Sequence, residues 1–368
     1  MLTCRKMRLS RAILTVVVAA SLASLLAADD AAARSHKRRH ASHARSTSRS
    51  TAKAPEYPAL INASDASARD RQVGEACVRA LAGRHGSVVA MDPHTGRVLA
   101  LVNPDVGLFH AYTPCSVFKI VVAIGGLSEG LITPSTLFNC SGRCWTWPGH
   151  GPIDLRRALA VSCNPYFEWV GEQLGYERIR RYAHLLGLGE VSGINLTGEC
   201  PGALPASVQP ARVGHLSSHA SGVATSVVQI AVLLSATLNG GVVYQPQIAG
   251  PEGFVPNARW QLPQGTRLDG LADGFLAAVN EGSAITAFDP DVIVGGKTGS
   301  CARLGWFASY VAANEKPDLV LVVFLRPGNG HLASTVAGQI YRDIYKPASP
   351  TGSAALAVPH AAVGSGGL

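Results

Sequence analysis

The chain of 368 residues carries 32 Lys and Arg against 24 Asp and Glu, a formal net charge of +8. Eleven of these basic residues precede residue 54, which leaves 21 basic against 22 acidic residues in the rest of the chain. The body is therefore nearly neutral, so its charge does not indicate a nucleic-acid partner and none is expected. Its length suits one large domain or two interleaved lobes.

The first 28 residues have the layout of a secretory signal or an N-terminal anchor. Four basic residues, Arg5, Lys6, Arg8 and Arg11, precede an uncharged run from Ala12 to Ala28. A run of 17 residues is short for a membrane span, which favours a cleaved signal over a retained anchor. The sequence therefore predicts export to the periplasm or to the outer face of the cytoplasmic membrane.

Two further segments are predicted to be disordered and to flank a folded domain over 57–346. The linker 29–56 contains a stretch, 34–53, that is rich in Arg, Lys, His and Ser and cannot bury a core. This stretch is either a solvated tether or a contact to anionic lipid headgroups or wall polymers. The tail 347–368 is rich in Ala, Pro, Gly and Ser.

Five β-rich runs predict one antiparallel sheet. They cover residues 87–92, 97–102, 292–299, 304–312 and 319–325. The first two flank the turn residues Pro93 to Gly96 and predict a hairpin. The other three lie at close spacing near the far end of the domain, so both ends contribute to the sheet.

Between these ends the sequence has helical character. The predicted helices cover 116–130, 155–162, 167–174, 179–186 and 226–238, and another over 332–345 closes the domain. Thr225 is the predicted N-cap of the fifth helix. This order predicts an α+β fold, with an antiparallel five-stranded sheet flanked by helices, an inserted all-helical lobe, and a cleft between the lobes.

Ser116-Val117-Phe118-Lys119 follows Pro114 and is predicted to open a helix. Residues three apart share a helix face, so Lys119 lies one turn below the Ser116 hydroxyl. A serine becomes nucleophilic when a base takes its proton, and lysine can be that base if burial or a second cation lowers its pKa. Alone, the pattern is more typical of a capping serine beside an exposed lysine.

Ser162-Cys163-Asn164 lies between two predicted helices and precedes Pro165, which favours a corner between helices. The Ser162 hydroxyl can relay a proton to a leaving nitrogen, and the Asn164 amide can hold a substrate carbonyl. Alone, the tripeptide is more typical of an ordinary polar turn.

Lys297-Thr298-Gly299-Ser300 continues an apolar strand in which two glycines precede the lysine. A strand edge with glycines lets an extended substrate backbone approach and pair. Lys297 and the hydroxyls of Thr298 and Ser300 can hold a carboxylate. In this order the three motifs form a serine-acylation pattern that isolated coincidences do not explain.

These motifs and their flanks resemble the transpeptidase domain of penicillin-binding proteins over nearly all of residues 85–346. The flanking similarity covers 91–100 as an opening hairpin, 150–155 and 164–167 around the second motif, 225–231 as a Thr-x-x-Gln helix, and Trp306-Phe307 after the third motif. The resemblance implies a β-lactamase/transpeptidase-like fold.

The resemblance also implies an activity and a role for each motif residue. The activity would be D,D-transpeptidation or D,D-carboxypeptidation of peptidoglycan stem peptides that end in D-Ala-D-Ala, with β-lactams as mimics. Ser116 would be the acylated nucleophile, Lys119 the base and Ser162 the proton shuttle. The substrate-binding residues would be Asn164, Lys297, Thr298, Gly299 and Ser300. The backbone N–H groups of Ser116 and Ser300 would form the oxyanion hole.

Two alternatives stay open at this point. A class D-like β-lactamase resembles this fold and shares the first and third motifs, although that class typically has a hydrophobic residue where Asn164 stands. A β-lactam sensor or binding module would be acylated at Ser116 without turnover.

The cysteines raise a separate question, because each motif contains or adjoins one. Cys115, Cys163 and Cys301 are interpreted as small buried hydrophobes, with a redox-sensitive site as the alternative. Cys140 and Cys144 bracket a Gly-containing loop and are the best local candidates for a disulfide. The His and Cys spacings are not typical of zinc sites, so neither a metal nor a cofactor is expected.

Overall fold

The computed structural model describes residues 2–3 and 60–346, without 143 and 315. The predicted signal or anchor over 1–28 lies outside the described residues except for Leu2–Thr3, and the predicted linker 29–56 and tail 347–368 lie outside them entirely. In the described part of the chain, none of the helices combines the length and the apolar character that a membrane span requires.

Ten helices lie in the described residues, and six of them match predicted segments. They are α1 (Ala68–Leu81), α2 (Pro104–Gly107), α3 (Lys119–Ser128), α4 (Leu155–Ala160), α5 (Asn164–Leu174), α6 (Tyr176–Leu185), α7 (Pro210–His219), α8 (Val227–Leu238), α9 (Leu271–Glu281) and α10 (Gly330–Tyr345), with 3₁₀ turns at Cys115–Phe118 and Ile285–Ala287. The predicted cap at Thr225 is wrong by one residue, because Ser226 caps α8 and forms a capping box with Gln229.

The strands of the described residues are mostly short. They are β1 (Leu2–Thr3), β2 (Leu60–Ile61), β3 (Gly86–Met91), β4 (Arg97–Val102), β5 (His110–Ala111), β6 (Phe138–Cys140), β7 (Gly151–Ile153), β8 (Val242–Tyr244), β9 (Gln247–Ile248), β10 (Ala258–Gln261), β11 (Ile293–Cys301), β12 (Leu304–Ala313) and β13 (Lys316–Leu325). The small pairs β1–β5, β6–β7 and β8–β10 lie outside the main sheet.

The main sheet confirms the predicted α+β class but has more strands than the five expected. Its antiparallel order is β11-β12-β13-β3-β4-β2, so the two ends of the domain meet where β13 pairs with β3. The sixth strand, β2, and a short parallel neighbour, β9, pair with different parts of β4. Each has two residues, too few to show an alternating pattern in the sequence.

Both faces of the sheet are buried, and alternation along β13 divides the core in two. Leu319, Leu321 and Val323 point to one face, where α1 and α10 pack. Val320 and Val322 point to the other face, against α8 and the helical lobe. Because successive strand residues point to opposite faces, one strand joins two hydrophobic layers and fixes the lobe against the sheet.

A buried ion pair ties the first helix to the sheet. The Arg97 guanidinium on β4 donates to both carboxylate oxygens of Asp70 on α1, at 2.8 and 3.2 Å. Burial raises the pKa of Asp70, but the hydrogen bonds from Arg97 and Ser67 outweigh it and hold this pKa below its ordinary value. Asp70 therefore stays charged in a nearly water-free position.

We expect Arg97→Leu to lower the free energy of unfolding in urea by about 3 kcal/mol, because it leaves the Asp70 carboxylate buried without its counter-charge. Arg79→Leu is the matched control, since the Arg79 side chain on the same helix is mostly exposed and pairs at longer range with Glu75 and Asp343, at 3.6 and 3.7 Å. The free energy of unfolding of this control should fall by no more than ~1 kcal/mol. Equal losses in the two variants would contradict a structural role for the buried pair.

Candidate active site

Ser116 lies in the 3₁₀ turn Cys115–Phe118, which runs directly into α3 at Lys119. Its side chain is half-buried, and its hydroxyl donates to the backbone carbonyl of Ser218 near the end of α7, at 3.4 Å. The predicted helix start is therefore a tighter turn, with the α-helix beginning three residues later. The turn leaves the Ser116 side chain partly exposed, whereas Lys119 is fully buried.

Strand β11 comes unusually close to this turn. A Cβ atom on Gly299 would lie 2.8 Å from the Pro114 carbonyl oxygen and 3.2 Å from the Val117 side chain, so only glycine fits without displacement. The neighbouring strand, β12, also bonds to the segment before this turn, because the Trp306 indole N–H donates to the Thr113 carbonyl at 2.9 Å. The third motif is thereby held against the first.

A disulfide closes the same contact. It joins Cys115, the residue before Ser116, to Cys301, the residue after Ser300, across 186 positions of sequence. The interpretation of both cysteines as small buried hydrophobes is therefore wrong. Cys115 also has a φ of +52°, a left-handed conformation that is uncommon outside glycine and that the disulfide and the turn hold in place.

Ser162 occupies the corner between α4 and α5, as predicted. It also has a left-handed backbone, with a φ of +55°. Such a conformation costs roughly 1–3 kcal/mol and persists only where the surrounding structure holds it. Here it directs the Ser162 hydroxyl back between the two lysines of the other motifs.

Both motif lysines reach this one hydroxyl. The Lys119 Nζ lies 3.1 Å and the Lys297 Nζ lies 2.8 Å from the Ser162 Oγ. Lys119 also donates to the Ser162 carbonyl at 2.8 Å and to the Asn164 Oδ1 at 2.6 Å. Lys297 donates to the Thr298 carbonyl at 2.9 Å. Three motifs that are far apart in sequence therefore meet at a single oxygen.

The two lysine side chains are fully buried, which makes their charges expensive. Burial lowers the pKa of Lys119 to about 7, although Cys163, Cys144 and Glu168 favour its charged form. Burial, and then the nearby Lys119, lower the pKa of Lys297 well below its ordinary value. Burial and the proximity of the two amines thus both disfavour a doubly charged pair, and amines this close titrate together.

A polar network behind Asn164 was not predicted. The Asn164 Nδ2 lies 3.4 Å from the His219 Nε2, and the His219 Nδ1 lies 2.6 Å from the Ser218 Oγ. The Ser218 hydroxyl also lies 2.9 Å from the Glu168 carboxylate. The chain from Glu168 to Asn164 fixes the amide whose oxygen accepts from Lys119. Glu168 on α5 and His219 on α7 carry no local motif that could have revealed them.

Two of the remaining predicted residues, Thr298 and Ser300, lie on the other face of β11. Strand alternation puts Thr298 and Ser300 opposite Lys297 and Gly299. The Thr298 hydroxyl lies 2.7 Å from the Ser283 hydroxyl, and the exposed Ser300 hydroxyl accepts from the Gly330 N–H at 2.7 Å. The structure thus brings Lys119, Ser162, Asn164 and Lys297 together, places Ser116 in the adjoining turn with its hydroxyl on the Ser218 carbonyl, and leaves the Thr298 and Ser300 side chains on the other face of the strand.

The sequence profile of the penicillin binding protein transpeptidase domain matches residues 86–346. The chain belongs to this family. The match covers the sheet from β3 onward, the helical lobe and all three motifs.

Related proteins agree with this assignment. Stage V sporulation protein D of Bacillus subtilis is 28% identical over 313 residues, which cover 69% of this chain and 48% of that protein. The peptidoglycan D,D-transpeptidase MrdA of Acinetobacter baumannii is 30% identical over 165 residues, 34% of this chain and 25% of its own length. This chain therefore matches half or less of each relative's length.

A solved structure shows the same fold. The D,D-transpeptidase domain of a peptidoglycan glycosyltransferase from Eggerthella lenta superposes with a TM-score of 0.65 at 22% identity, over 74% of this chain and 80% of that one. At that identity the comparison supports the fold alone, which is that of a transpeptidase domain.

A group of cysteines borders the second motif of the transpeptidase domain. Cys140 and Cys144 are free thiols, so the predicted local disulfide between them is wrong. They lie with His150 and the free thiol of Cys163 in one cluster whose ligand-type atoms are all within 4.8 Å of one another. These four side chains could hold a metal ion, although their spacing in the sequence did not suggest one.

We expect Lys119 to titrate near pH 7, because burial disfavours its ammonium form. Below about pH 7 the amine carries a proton, and above it the amine is neutral and can accept one. The measurement is a pH series of lysine side-chain resonances in protein labelled with isotopic lysine, with the signal assigned by its loss in Lys119→Arg. A Lys119 signal that stays charged up to pH 10 would contradict the burial effect.

Proposed function

We propose that this chain is an exported, penicillin-binding D,D-transpeptidase or D,D-carboxypeptidase that acts on D-Ala-D-Ala stem peptides through an acyl-enzyme on Ser116. The single observation that carries the proposal is the meeting of Lys119 and Lys297 on the Ser162 hydroxyl, next to the Ser116 turn. A capping serine or a solvated lysine does not need such an arrangement. The named activity of MrdA supports the same reaction class.

Substrate binding would use the open edge of β11. The stem peptide would lie extended along this edge strand, with its terminal carboxylate near Lys297 and the hydroxyls of Thr298 and Ser300. The exposed Ser300 hydroxyl keeps its own proton for the carboxylate while it accepts from Gly330. The N–H groups of Ser116 and Ser300 would point at the scissile carbonyl oxygen as an oxyanion hole.

Acylation would transfer one proton through the lysine pair. The neutral Lys119 amine takes the proton of the Ser116 hydroxyl while the Ser116 Oγ attacks the carbonyl of the penultimate D-Ala. Ser162, hydrogen-bonded to both lysines, passes a proton to the leaving nitrogen, and the terminal D-Ala departs. An acceptor amine or water then attacks the ester and returns a proton to Ser116 by the reverse route. No net proton or electron is consumed.

The location and outer contacts of the chain belong to the same proposal. A peptidoglycan substrate requires the domain over 57–346 to work in the periplasm or at the outer face of the cytoplasmic membrane, with 1–28 as signal or anchor. The basic stretch 34–53 would contact anionic lipid headgroups or wall polymers. The stem peptide and β-lactams would be the small-molecule partners.

We expect labelled penicillin to form a covalent adduct with the full chain and none with Ser116→Ala, because the proposal assigns the nucleophile to Ser116 and only proton transfer to Ser162. Denaturing gel electrophoresis and peptide mass mapping measure it. Ser135→Ala, which removes an exposed hydroxyl from the helical lobe, should label like the unchanged protein. Full labelling of folded Ser116→Ala would disprove the assignment of the nucleophile.

The lifetime of the same adduct separates the alternatives. Release within seconds would identify a β-lactamase and overturn the proposal. A lifetime of hours, together with D-Ala release from a pentapeptide, would support it. A lasting adduct without D-Ala release or cross-linking would identify a sensor or binding module instead.

We also expect loss of the Cys115–Cys301 disulfide to slow acylation about tenfold, or ~1.4 kcal/mol in the barrier. Each cysteine adjoins a residue whose N–H is proposed to bind the oxyanion, so cutting the bond loosens both donors. The double variant Cys115→Ala/Cys301→Ala is compared with Cys77→Ala, a buried free cysteine on α1. Unchanged acylation in a folded double variant, verified by its melting temperature, would refute this positioning role.

A further inference from the structure

A second candidate site lies beside the residues of the second motif, at the β6–β7 hairpin. Cys140 ends β6, Cys144 lies in the loop that follows, and His150 immediately precedes β7. The fourth member, Cys163, comes from the corner between α4 and α5, where it separates Ser162 from Asn164. We call these four residues the Cys3His cluster. The expected reaction assigns no role to any of their side chains.

Three distances within the Cys3His cluster are close to the edges of a tetrahedral zinc site, and all the ligand-type atoms lie within 4.8 Å of one another. The Cys163 and Cys140 Sγ atoms lie 3.4 Å apart, and the His150 Nδ1 lies 3.5 Å from the Cys140 Sγ and 3.3 Å from the Cys144 Sγ. A zinc ion bound at ordinary lengths would set the S–S edges at about 3.8 Å and the S–N edges at about 3.6 Å. The cluster needs adjustments of only a few tenths of an ångström along these edges.

The surroundings argue against an ordinary packing role. Three thiols and an imidazole face one another, and thiols are weak hydrogen-bond donors and acceptors, so the group gains little from these contacts alone. The Cys140 and Cys163 side chains are fully buried, and Cys140, Cys144 and Cys163 are all unpaired despite their proximity. Trp145 lies against the His150 ring, and its indole N–H donates to the Val161 carbonyl at 3.2 Å, which holds the loop to the helix corner.

We propose that the Cys3His cluster binds one zinc ion as a structural site. Four protein ligands leave no open position, which is typical of structural rather than catalytic zinc, and three sulfur donors favour this soft, redox-inert ion over magnesium or calcium. On binding, the three thiols become thiolates and release three protons to solvent, while the neutral imidazole binds through Nδ1. No electron moves, so the site needs no oxidant or reductant.

The ion would link the hairpin to the second motif. Cys163 is the residue between Ser162 and Asn164, so a bond to its sulfur restrains the backbone on both sides. Ser162 holds a left-handed φ of +55° and thus needs such a restraint. The zinc would keep the Ser162 hydroxyl between the lysines without touching substrate.

The test is the metal content and ligand set of the full-length protein, purified from its exported compartment without chelators. We expect one zinc ion per chain by mass spectrometry. Replacement with cobalt(II) should give the visible bands of a tetrahedral ion and a near-ultraviolet charge-transfer band from thiolate. Cys163→Ser and His150→Ala should bind less than a tenth of this zinc, while Cys77→Ser, which removes a free thiol on α1, should keep all of it.

Two results would overturn the proposal. One is a folded, reduced protein that takes up no zinc or cobalt after dialysis against excess metal. The other is a disulfide between any two of the three cluster cysteines in the isolated protein, since that would consume the ligands. If the ligand variants fail to fold, the cobalt spectrum of the unchanged protein decides by itself, because thiolate charge transfer requires sulfur ligation.

Discussion

Two buried amines that share one serine hydroxyl set the constraint on which this domain is built. Moving an ammonium group from water into a protein interior costs several kcal/mol, and a second one nearby adds repulsion. Fixed hydrogen-bond acceptors offset part of this cost, namely the carbonyls of Ser162 and Thr298 and the amide oxygen of Asn164. Burial also keeps the pKa of each amine low, so that the pair does not carry two full charges.

Meeting this constraint requires irregular backbone at the motifs and regular structure around them. Cys115 and Ser162, which lie beside or within the motifs, both have left-handed conformations. Gly299 lets an edge strand approach a turn more closely than any side chain would allow. The helices and central strands then supply the rigidity, because α8 and both faces of the sheet are almost entirely buried. The other six non-glycine residues with positive φ in the described chain lie at helix ends and hairpin turns.

The elements that could be predicted are those with an apolar run bounded by turn or cap residues. Two short apolar runs with a turn between them predict the β3–β4 hairpin, and a longer apolar run predicts α8. Helix α1 was missed because it mixes many charged residues with a narrow apolar stripe, and α7 because it contains Gly, Ser and His residues with low helix propensity.

The residues of the candidate site could likewise be predicted only where the local sequence marks them. Each motif lysine and serine could be located because its neighbours mark a helix, a corner or a strand. The contact of Glu168 with Ser218 and His219 arises only from the packing of α5 against α7, and the disulfide joins residues 186 positions apart. The Cys3His cluster was missed because its members have irregular spacings and one of them sits inside a catalytic motif. None of these contacts leaves a local pattern in the sequence.

The pairing of β3 with β13 has a consequence for how the protein is made. The first hairpin of the sheet finds its partner only after more than two hundred further residues have been synthesised. Contacts of such long range form slowly, and until then the apolar faces of β3 and β4 stay exposed. The three motifs meet only after the C-terminal strands have been made, because Lys297 lies on β11 and the Cys115–Cys301 disulfide spans 186 positions. The arrangement of the candidate site is therefore among the last features of the domain to form.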